Sequence, residues 1–329
     1  MDLGKIRKDK DFIEIFGLID PDGFQPLGQG EYNINYIFNS KVTGEKLVLR
    51  IATDSQMHLE NQIGYEFKAL ELLANSGRTP RPFYCDSRKT LIPYGFLVME
   101  FLPGVPLNYK RDLKLAAQAL SEVHSLVIPK DNHLLLPEDP IGAIYEECKM
   151  MFDEYSSSAH MEVSVRYKID SLLDMVEGME AEDIGNRVMI NTEINSGNFL
   201  INGTDKPNYL IDWEKPLYGY PAQDLGHFLA PTTTSWKTDT ILSKDEMLLF
   251  ISDYCRMSKG GYVVSELWNS VRRYVSMNCL RGITWCSMAY SLYQDPDKLI
   301  TNDYTYRKIK TYLSEDFLDM IRKEYLGDI

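Results

Sequence analysis

The sequence is short of basic residues. Lys and Arg together number 35, whereas Asp and Glu number 48, and the formal net charge at pH 7 is -13. A chain with this balance is a poor partner for polyanionic nucleic acid, so we expect no nucleic-acid partner. The charge suits a small cationic substrate or plain solubility, and a phosphate site can still be locally positive.

Cysteines are few, and long apolar runs are missing. The five cysteines show no CxxC spacing and their number is odd, which argues against a disulfide framework. The first residues carry mixed charges instead of the apolar segment of a signal peptide. The best apolar run, residues 96–107, is interrupted by Glu100, Pro103 and Pro106. We therefore expect a cytoplasmic protein without a membrane segment.

The chain is long enough for two lobes. Its 329 residues exceed what one typical domain needs, and its 44% hydrophobic and 25% charged residues are ordinary for a globular protein. It contains no low-complexity tract and no clear internal repeat. We expect an ordered protein of two lobes.

The first hundred residues are rich in strand patterns. Residues 36–38 and 47–51 are β-rich runs joined by a turn that contains Gly44, which predicts a hairpin. Ahead of it, Gly28 and Gly30 would let the backbone turn tightly and approach a phosphate with its amide groups. Two glycines in a turn are a weak signal alone, so the phosphate interpretation depends on the strands around them.

A helix and a further strand follow. Apolar residues at three- and four-residue steps predict an amphipathic helix over 59–73, with Glu66 off the main apolar stripe. Residues 95–99 have the composition of a buried strand, and 100–104 that of a connector between lobes. Extended backbone beside apolar walls could hold a flat heteroaromatic base.

Beyond residue 113 the apolar spacing is mainly helical. Helices are predicted over 113–126, 144–155, 167–179, 244–254, 265–293 and 306–326. His124 lies on the first of them, and we expect it to be packed or hydrogen-bonded rather than catalytic.

One predicted hairpin lies between these helices and bears the candidate metal ligands. The apolar runs 199–201 and 209–211 flank a Gly-Thr-Asp turn. Asn198 precedes the first run and Asp212 follows the second, so the hairpin would bring an amide oxygen and a carboxylate together. Such a pair suits a magnesium ion that takes its other ligands from phosphate and water. Glu193 would project toward the same place.

Together these segments resemble the aminoglycoside phosphotransferase and choline kinase group of small-molecule kinases, which are distant relatives of protein kinases. The likeness spans most of the chain, and its pieces come in the expected order. The matching segments are Gly28-Gln29-Gly30, Leu49-Arg50, Glu66, 98–104, 191–198, 211–214 and 221–225. The resemblance implies an α+β, bilobal protein-kinase-like fold. A small β-rich N-lobe would cover residues 1–101 and a larger, mainly helical C-lobe residues 102–329.

The resemblance also implies a nucleotide site. The residues that it assigns to ATP or GTP are Gly28, Gly30, Arg50, Glu66, Glu100 and Leu102. Arg50, held by Glu66, would bind the α- and β-phosphates where the family often has lysine, which changes the contact geometry but keeps the charge. Glu100 and Leu102 would contact the base through the connector between the lobes.

The remaining roles fall on the second lobe. Asp212 and Asn198 would bind Mg²⁺, and Asp224 would support the catalytic loop by accepting backbone hydrogen bonds. Glu193 stands where the family usually has the aspartate that acts as base or orients the acceptor hydroxyl. Asn191 replaces a loop-holding histidine, whose hydrogen bonds an amide can partly imitate. Glutamate is longer by one methylene, and a misplacement of about 1 Å can cost ~10²-fold in rate.

The leading hypothesis is a kinase that transfers the γ-phosphoryl group to a hydroxyl of a small acceptor, with aminoglycoside-, choline- and amino-alcohol-like cations among the candidates. The side chains considered for contact with the acceptor are Glu146, Glu147, Trp268, Trp285 and Tyr290. Trp213 is expected to be a packing residue, and Glu214 is not assigned as a ligand. The departures at Glu193 and Asn191 leave open a nucleotide-binding module without transferase activity, and nucleotidyl transfer is a further alternative. The acceptor, the choice of ATP or GTP and the oligomeric state are left open.

Overall fold

A five-stranded antiparallel sheet forms the N-terminal lobe of the computed structural model, which describes residues 2–30, 32–182, 184–294 and 302–327. The strands are β1 (Gln25–Gln29), β2 (Asn33–Asn39), β3 (Lys46–Ala52), β4 (Pro82–Asp86) and β5 (Gly95–Glu100), in the spatial order β1-β2-β3-β5-β4. The lobe also contains the helices α1 (Gly4–Arg7), α2 (Lys10–Phe16) and α3 (Gln62–Leu73). The predicted hairpin is the β2–β3 pair, and the predicted strand over 95–99 is β5.

Both faces of β3 are covered, which explains its run of buried residues. Leu49 and Ile51 pack into an apolar cluster with Phe12 of α2. Successive side chains on a strand point to opposite faces, so Arg50 emerges on the other face, which it shares with Glu66 of α3. A charged residue can occupy this central strand because a carboxylate from the neighbouring helix faces it.

The helix predicted over 59–73 begins at Gln62. Asn61 caps its N-terminus, because the Asn61 side chain accepts a hydrogen bond from the backbone N–H of Gly64 at 3.0 Å. Glu66 is 1% exposed. Glu66 therefore lies on the buried side of the helix. The sequence placed it off the apolar stripe, and that position did not reveal its burial.

The C-terminal lobe is mainly helical, as predicted. Its helices are α4 (Tyr109–His124), α5 (Pro140–Ser156), α6 (Val163–Val176), α7 (Pro221–Leu229), α8 (Pro231–Thr238), α9 (Lys244–Met257), α10 (Val264–Tyr293), α11 (Asp303–Tyr312) and α12 (Glu315–Ile321), followed by a π-helical turn (Arg322–Leu326). The single helix predicted over 306–326 is wrong. It divides at Ser314, whose side chain accepts a hydrogen bond from the backbone N–H of Phe317 and so begins a new helix.

Short strands carry the segments between α6 and α7. They are β6 (Val188–Ile190), β7 (Phe199–Leu200), β8 (Tyr209–Leu210) and β9 (Leu217–Gly219). β7 pairs antiparallel with β8, which confirms the predicted hairpin, and β6 pairs with β9. The long helix α10 packs against α5 and α7 beneath them. The bilobal α+β architecture is thus the predicted one.

Two further sequence expectations concern the cysteines and membrane-spanning segments. All five cysteines are free. None of the helices in the described ranges combines the length and the apolar character that a membrane crossing requires.

Candidate active site

The β7–β8 hairpin brings Asn198 and Asp212 together. The backbone N–H of Ile211 donates to the carbonyl of Asn198 at 2.8 Å, and the two side chains meet with Asn198 Nδ2 3.5 Å from Asp212 Oδ2. Asp212 has φ +67°, a left-handed conformation that aspartate tolerates better than most residues. Its side chain is 41% exposed and so remains accessible to a ligand.

Oxygen ligands suited to Mg²⁺ are therefore available at this point of the cleft. Mg²⁺ prefers one or two carboxylates together with phosphate and water oxygens. Asp212 offers a carboxylate. The amide oxygen of Asn198 accepts one hydrogen bond, from the backbone N–H of Asn195 at 2.9 Å, and retains a second lone pair. The two side-chain types fit the ion, and turning the Asn198 amide would bring its oxygen to the side of Asp212, where its nitrogen lies in this structure.

Arg50 reaches Asp212 across the cleft. Its Nη2 donates to Asp212 Oδ1 at 2.7 Å and to Glu214 Oε2 at 3.0 Å, and its Nε lies 3.1 Å from Glu66 Oε1. Burial alone would lower the pKa of Arg50, but the three carboxylates outweigh it and raise the pKa above its ordinary value. The result is a permanent buried cation at the boundary of the two lobes.

The pKa values of two carboxylates near Arg50 are raised as well, which for an acid favours the neutral form. Burial raises the pKa of Glu66 to about 7, although Arg50 opposes the rise, and the charges of Asp212 and Glu214 add to it. Burial also raises the pKa of Glu214, with Asp212 as the next contributor. Three acids share one guanidinium here, so the cluster has an excess of negative charge that a further cation would relieve.

Glu214 and Asn33 belong to this cluster, and the sequence analysis assigned neither to it. Asn33 Nδ2 donates to Glu214 Oε2, and Gln62 Nε2 donates to the carbonyl of Glu214. The available signal for Glu214 was its place in the segment 211–214, two residues after Asp212. Asn33 carried no signal, because its partner is 181 positions away.

The glycine turn lies at the start of β2. Gly28 belongs to β1, and the backbone N–H of Gly30 donates to the carbonyl of Asn33 at 2.9 Å. The chain does turn tightly here between β1 and β2, but neither glycine has a positive φ, so the turn does not depend on a conformation that favours glycine. Their contribution is open space, because a Cβ on Gly28 would meet no atom within 4 Å. Glu31, between them and Asn33, lies outside the described residues.

The connector between the lobes begins at Glu100. The Glu100 side chain is turned outward to Arg81, with Oε2 3.1 Å from Arg81 Nε, and its backbone N–H donates to the carbonyl of Arg81 at 2.8 Å. Only its backbone carbonyl is left for a base. Leu102 is buried. Within the described part of the chain, the backbone N–H of Leu102 has no hydrogen-bond partner.

Asp224 holds the loop that precedes the hairpin. Completely buried on α7, it accepts hydrogen bonds from the backbone N–H groups of Asn191 at 2.8 Å and Thr192 at 2.6 Å. His124 Nε2 lies 3.2 Å from the same carboxylate, and its Nδ1 lies 2.9 Å from the Tyr254 hydroxyl. His124 is thus packed and hydrogen-bonded, as expected.

Asn191 and Thr192 shape the loop in different ways. Asn191 Nδ2 donates to the carbonyl of Asp212 at 2.7 Å, which ties the loop to the end of the hairpin. Thr192 has φ +75°, a strained conformation for a β-branched residue. Its hydroxyl donates to the carbonyl of Lys215 at 3.0 Å.

Glu193 follows this strained residue and is held by three polar side chains. Its Oε1 accepts from Gln56 Nε2 at 2.8 Å and from Lys215 Nζ at 3.3 Å, and Arg281 Nη2 lies 3.9 Å away. Burial by itself would raise the pKa of Glu193, but Lys215, Arg281 and His227 together lower it. The side chain is therefore an ionised carboxylate at neutral pH.

A cavity of about 690 Å³ opens beside Glu193 between the hairpin and the C-terminal helices. Of the acceptor candidates, Glu147 and Trp285 line it. Trp268 lines a separate cavity, and Glu146 is exposed beside Lys149. These two are therefore outside the cavity next to Glu193.

Two further aromatic residues are also accounted for by other contacts. Tyr290 donates to Glu162 Oε1 at 2.8 Å. Trp213 is buried and its Nε1 donates to the carbonyl of Leu210 at 3.0 Å, which confirms it as a packing residue.

Solved structures of known kinases share this fold. A Plasmodium vivax ethanolamine kinase matches with 15% identity over 94% of this chain and 89% of that one, at a TM-score of 0.60. A choline kinase from Cryptosporidium parvum matches with 15% identity over 98% and 96%, at a TM-score of 0.61. Spectinomycin phosphotransferase, solved in complex with ADP and spectinomycin, matches with 15% identity over 92% of each chain, at a TM-score of 0.62.

At such identities the likeness is one of fold. A family model adds the sequence relationship, because it matches residues 23–244, from the start of the sheet to the first residue of α9. That range includes the Arg50 cluster, the hairpin and Asp224. The chain therefore belongs to the phosphotransferase enzyme family (APH), a family of kinases that phosphorylate hydroxyl groups of small molecules.

Proposed function

We propose that this enzyme is a Mg²⁺-dependent, cytoplasmic kinase that transfers the γ-phosphoryl group of ATP or GTP to a hydroxyl of a small molecule bound beside Glu193. The supporting observation is the convergence of Arg50, Asn198 and Asp212 in the cleft between the lobes, with Glu193 on the loop before the hairpin. Phosphoryl transfer needs aligned reactants and charge compensation more than covalent chemistry from the protein. This set of side chains supplies both.

We assign the nucleotide to residues 1–101 and the acceptor to residues 102–329. Arg50 would bind phosphate oxygens through Nη2 while its Nε stays beside Glu66, which keeps the guanidinium in place. Gly28 and Gly30 would leave room above the phosphates. The backbone carbonyl of Glu100 and the N–H of Leu102 would contact the base.

Asp212 and Asn198 would hold Mg²⁺, with Asn191 and Asp224 fixing the loop and hairpin that carry them. When bound, the ion would offset the negative charge of the phosphates. The excess of carboxylate around Arg50 makes this point of the cleft receptive to a divalent cation.

Glu193 would orient the acceptor hydroxyl by accepting its hydrogen bond. A carboxylate with a lowered pKa is a weak base. In a loose transition state the new bond is hardly formed, so the acceptor hydroxyl still holds its proton and a strong base is not needed. The acceptor oxygen bonds to the γ-phosphorus while the bond to the βγ-bridging oxygen breaks. The nucleoside diphosphate leaves with that electron pair, and the hydroxyl proton passes through Glu193 to solvent.

The extra methylene of Glu193 is accommodated by its partners. Gln56 and Lys215 hold Oε1 from two sides, so the longer side chain has a defined position. This supports transfer over the alternative of a nucleotide-binding module without activity. The five free cysteines support the cytoplasm as the compartment, because thiols stay reduced there.

The test is a transfer assay with purified protein, Mg²⁺ and labelled ATP or GTP. The acceptor panel contains amino alcohols, aminoglycosides, sugars and hydroxy acids. We expect labelled product from at least one acceptor, dependent on Mg²⁺ and lost in Asp212→Asn. Nucleotide-induced thermal stabilisation without transfer to any member of the panel would instead support the binding module.

A further inference from the structure

The cavity beside Glu193 is more positive than the rest of the chain. Three cationic side chains line it, Lys215, Lys237 and Arg281, against the two carboxylates Glu147 and Glu193. His227 also lines it, but burial lowers the pKa of His227, so this side chain is neutral at pH 7. Among the residues that the structure describes, the lining therefore carries a net charge of +1 (three cations minus two carboxylates), in a chain whose formal net charge is -13.

Two of the three cations are already paired. Arg281 binds Glu147 with two contacts, Nε to Oε2 at 2.9 Å and Nη2 to Oε1 at 3.0 Å. Lys215 lies 3.3 Å from Glu193. Each of these two ion pairs is neutral, so one positive charge of the described lining is left unpaired.

The remaining cation is Lys237 at the end of α8. Among the residues that the structure describes, none forms a hydrogen bond or ion pair with it. Its Nζ lies 3.4 Å from the position that a Cβ would take on Gly197, in the turn just before Asn198. An unpaired ammonium group thus stands at the rim of the cavity, beside the loop that carries Glu193.

Part of the cavity lining is aromatic. Trp236 and Trp285 pack edge to face with ring centroids 5.5 Å apart, and Trp236 makes a similar contact with Tyr312. Trp285 is 39% exposed, so part of its ring is open to a ligand. A flat or apolar body could cover these rings while a charged group reaches Lys237.

We propose, on the basis of the kinase function above, that the acceptor is a hydroxy compound carrying a carboxylate. Lys237 binds the carboxylate, the tryptophans contact the apolar body, and Glu193 orients the hydroxyl. A polycation would instead face Lys237, and the two carboxylates among the described lining residues, Glu147 and Glu193, are both engaged by cations. This differs from the cationic acceptor that the overall charge of the chain suggests, because the local charge decides binding.

The first experiment varies only the charge of the acceptor. The probes are para-(hydroxymethyl)benzoate, the corresponding benzamide and the corresponding benzylamine, which share the hydroxyl and the ring. Binding is measured by calorimetry with Mg²⁺ and a non-hydrolysable nucleotide, and transfer is measured with ATP and GTP. We expect the benzoate to bind about tenfold or more tighter than the amide, the scale of one lost charge-assisted contact. Equal binding, or preference for the amine, would overturn the proposal.

The second experiment removes the lysine. Lys237→Met should weaken benzoate binding to the level of the amide, leave amide binding unchanged and keep nucleotide affinity. Lys114→Met, an exposed lysine on α4 that does not line the cavity, is the matched control. A loss of kcat in Lys237→Met with unchanged benzoate affinity would overturn the proposal, because Lys237 would then act on the transferred phosphoryl group.

The two proposals fail in different ways. Selective benzoate binding that depends on Lys237, without transfer to any probe, supports the carboxylate site and counts against the kinase function. Transfer to neutral or cationic acceptors without benzoate preference supports the kinase function and refutes the carboxylate site.

Discussion

Arg50 Nη2 and Asp212 Oδ1 lie 2.7 Å apart, so a strand residue of the N-lobe is ion-paired with the proposed metal ligand of the C-lobe. Arg50 is almost fully buried, whereas the Asp212 side chain is 41% exposed. The same guanidinium therefore joins the lobes and is the proposed contact for phosphate. A bound nucleotide would contact Arg50 at the boundary of the two lobes. Nucleotide binding would therefore change the ion pairs that hold the lobes together.

Replacing Asp212 by asparagine should abolish transfer and weaken binding of the magnesium nucleotide. The change removes the one carboxylate of the proposed metal pair and also a partner of Arg50. We expect kcat to fall by at least ~10²-fold, the scale of losing one preorganised electrostatic contact. Steady-state kinetics and nucleotide titration with and without Mg²⁺ measure both effects. Asp205→Asn, in the exposed turn of the same hairpin, is the control, and equal losses in the two variants would refute the metal assignment.

Stability should fall as pH rises through the range in which Glu66 titrates. Its pKa is about 7 in the folded protein, above the ordinary value of 4.5, so the folded state binds the proton more tightly. This contribution is complete below the ordinary pKa and is lost as pH rises through the folded pKa. Between about pH 5 and about pH 8 we expect a loss of up to ~3 kcal/mol in the free energy of unfolding.

Denaturant unfolding of wild type and Glu66→Gln at both pH values tests this expectation. The glutamine variant should lose less stability than wild type on going from the lower to the higher pH. Some dependence should remain, because the pKa of Glu214 is also raised. Glu71→Gln, an exposed residue on the same helix, is the control and should behave as wild type. An unchanged slope in Glu66→Gln would contradict the assignment.

Glu193→Gln should lower the transfer rate by ~10²–10⁴-fold and leave nucleotide affinity nearly unchanged. Because its pKa is lowered, the wild-type rate should stay constant on the acid side until pH falls below the ordinary range of glutamate. Lys215 is one of the cations that lower this pKa. Lys215→Met should therefore move the acid limb of the pH–rate profile to higher pH.

The control for Lys215→Met is Lys206→Met, in the exposed hairpin turn. Its pH–rate profile should match that of wild type. Equal transfer by wild type and Glu193→Gln would remove Glu193 from the mechanism. A fixed acid limb in Lys215→Met would show that another group titrates.

Substitutions at Thr192 should reveal backbone strain in the catalytic loop through their effect on the free energy of unfolding. Its φ of +75° costs a β-branched residue about 1–2 kcal/mol, which glycine does not lose. Thr192→Val keeps the strain and removes the hydroxyl that donates to the backbone carbonyl of Lys215, so it should destabilise the protein. Thr192→Gly loses the same bond but relieves the strain, and should be more stable than Thr192→Val by about 1–2 kcal/mol. Equal unfolding midpoints for the two variants would refute strain at this position.

Local sequence patterns determined many of the helices and strands of this protein. Strand and helix periodicity predicted the β2–β3 pair, β5 and the helical second lobe. The short hairpin predicted the neighbourhood of Asn198 and Asp212, because a turn of a few residues leaves little choice in where its two ends lie. The role of Asp224 as an acceptor of backbone hydrogen bonds was predicted by the family resemblance and not by a local pattern.

Tertiary structure decided the chemistry around these residues. Glu66 is polar and was placed apart from the apolar stripe, but packing of α3 on the sheet buries it against Arg50. Asn33 reaches Glu214, and Gln56 reaches Glu193, over separations of more than a hundred residues that no periodicity records. The positive cavity is the clearest case, since Lys215, Lys237 and Arg281 come from three separate segments. Their charges add at one place only because α8 and α10 pack there, and the angle at which helices cross is set by side-chain packing and not by sequence spacing.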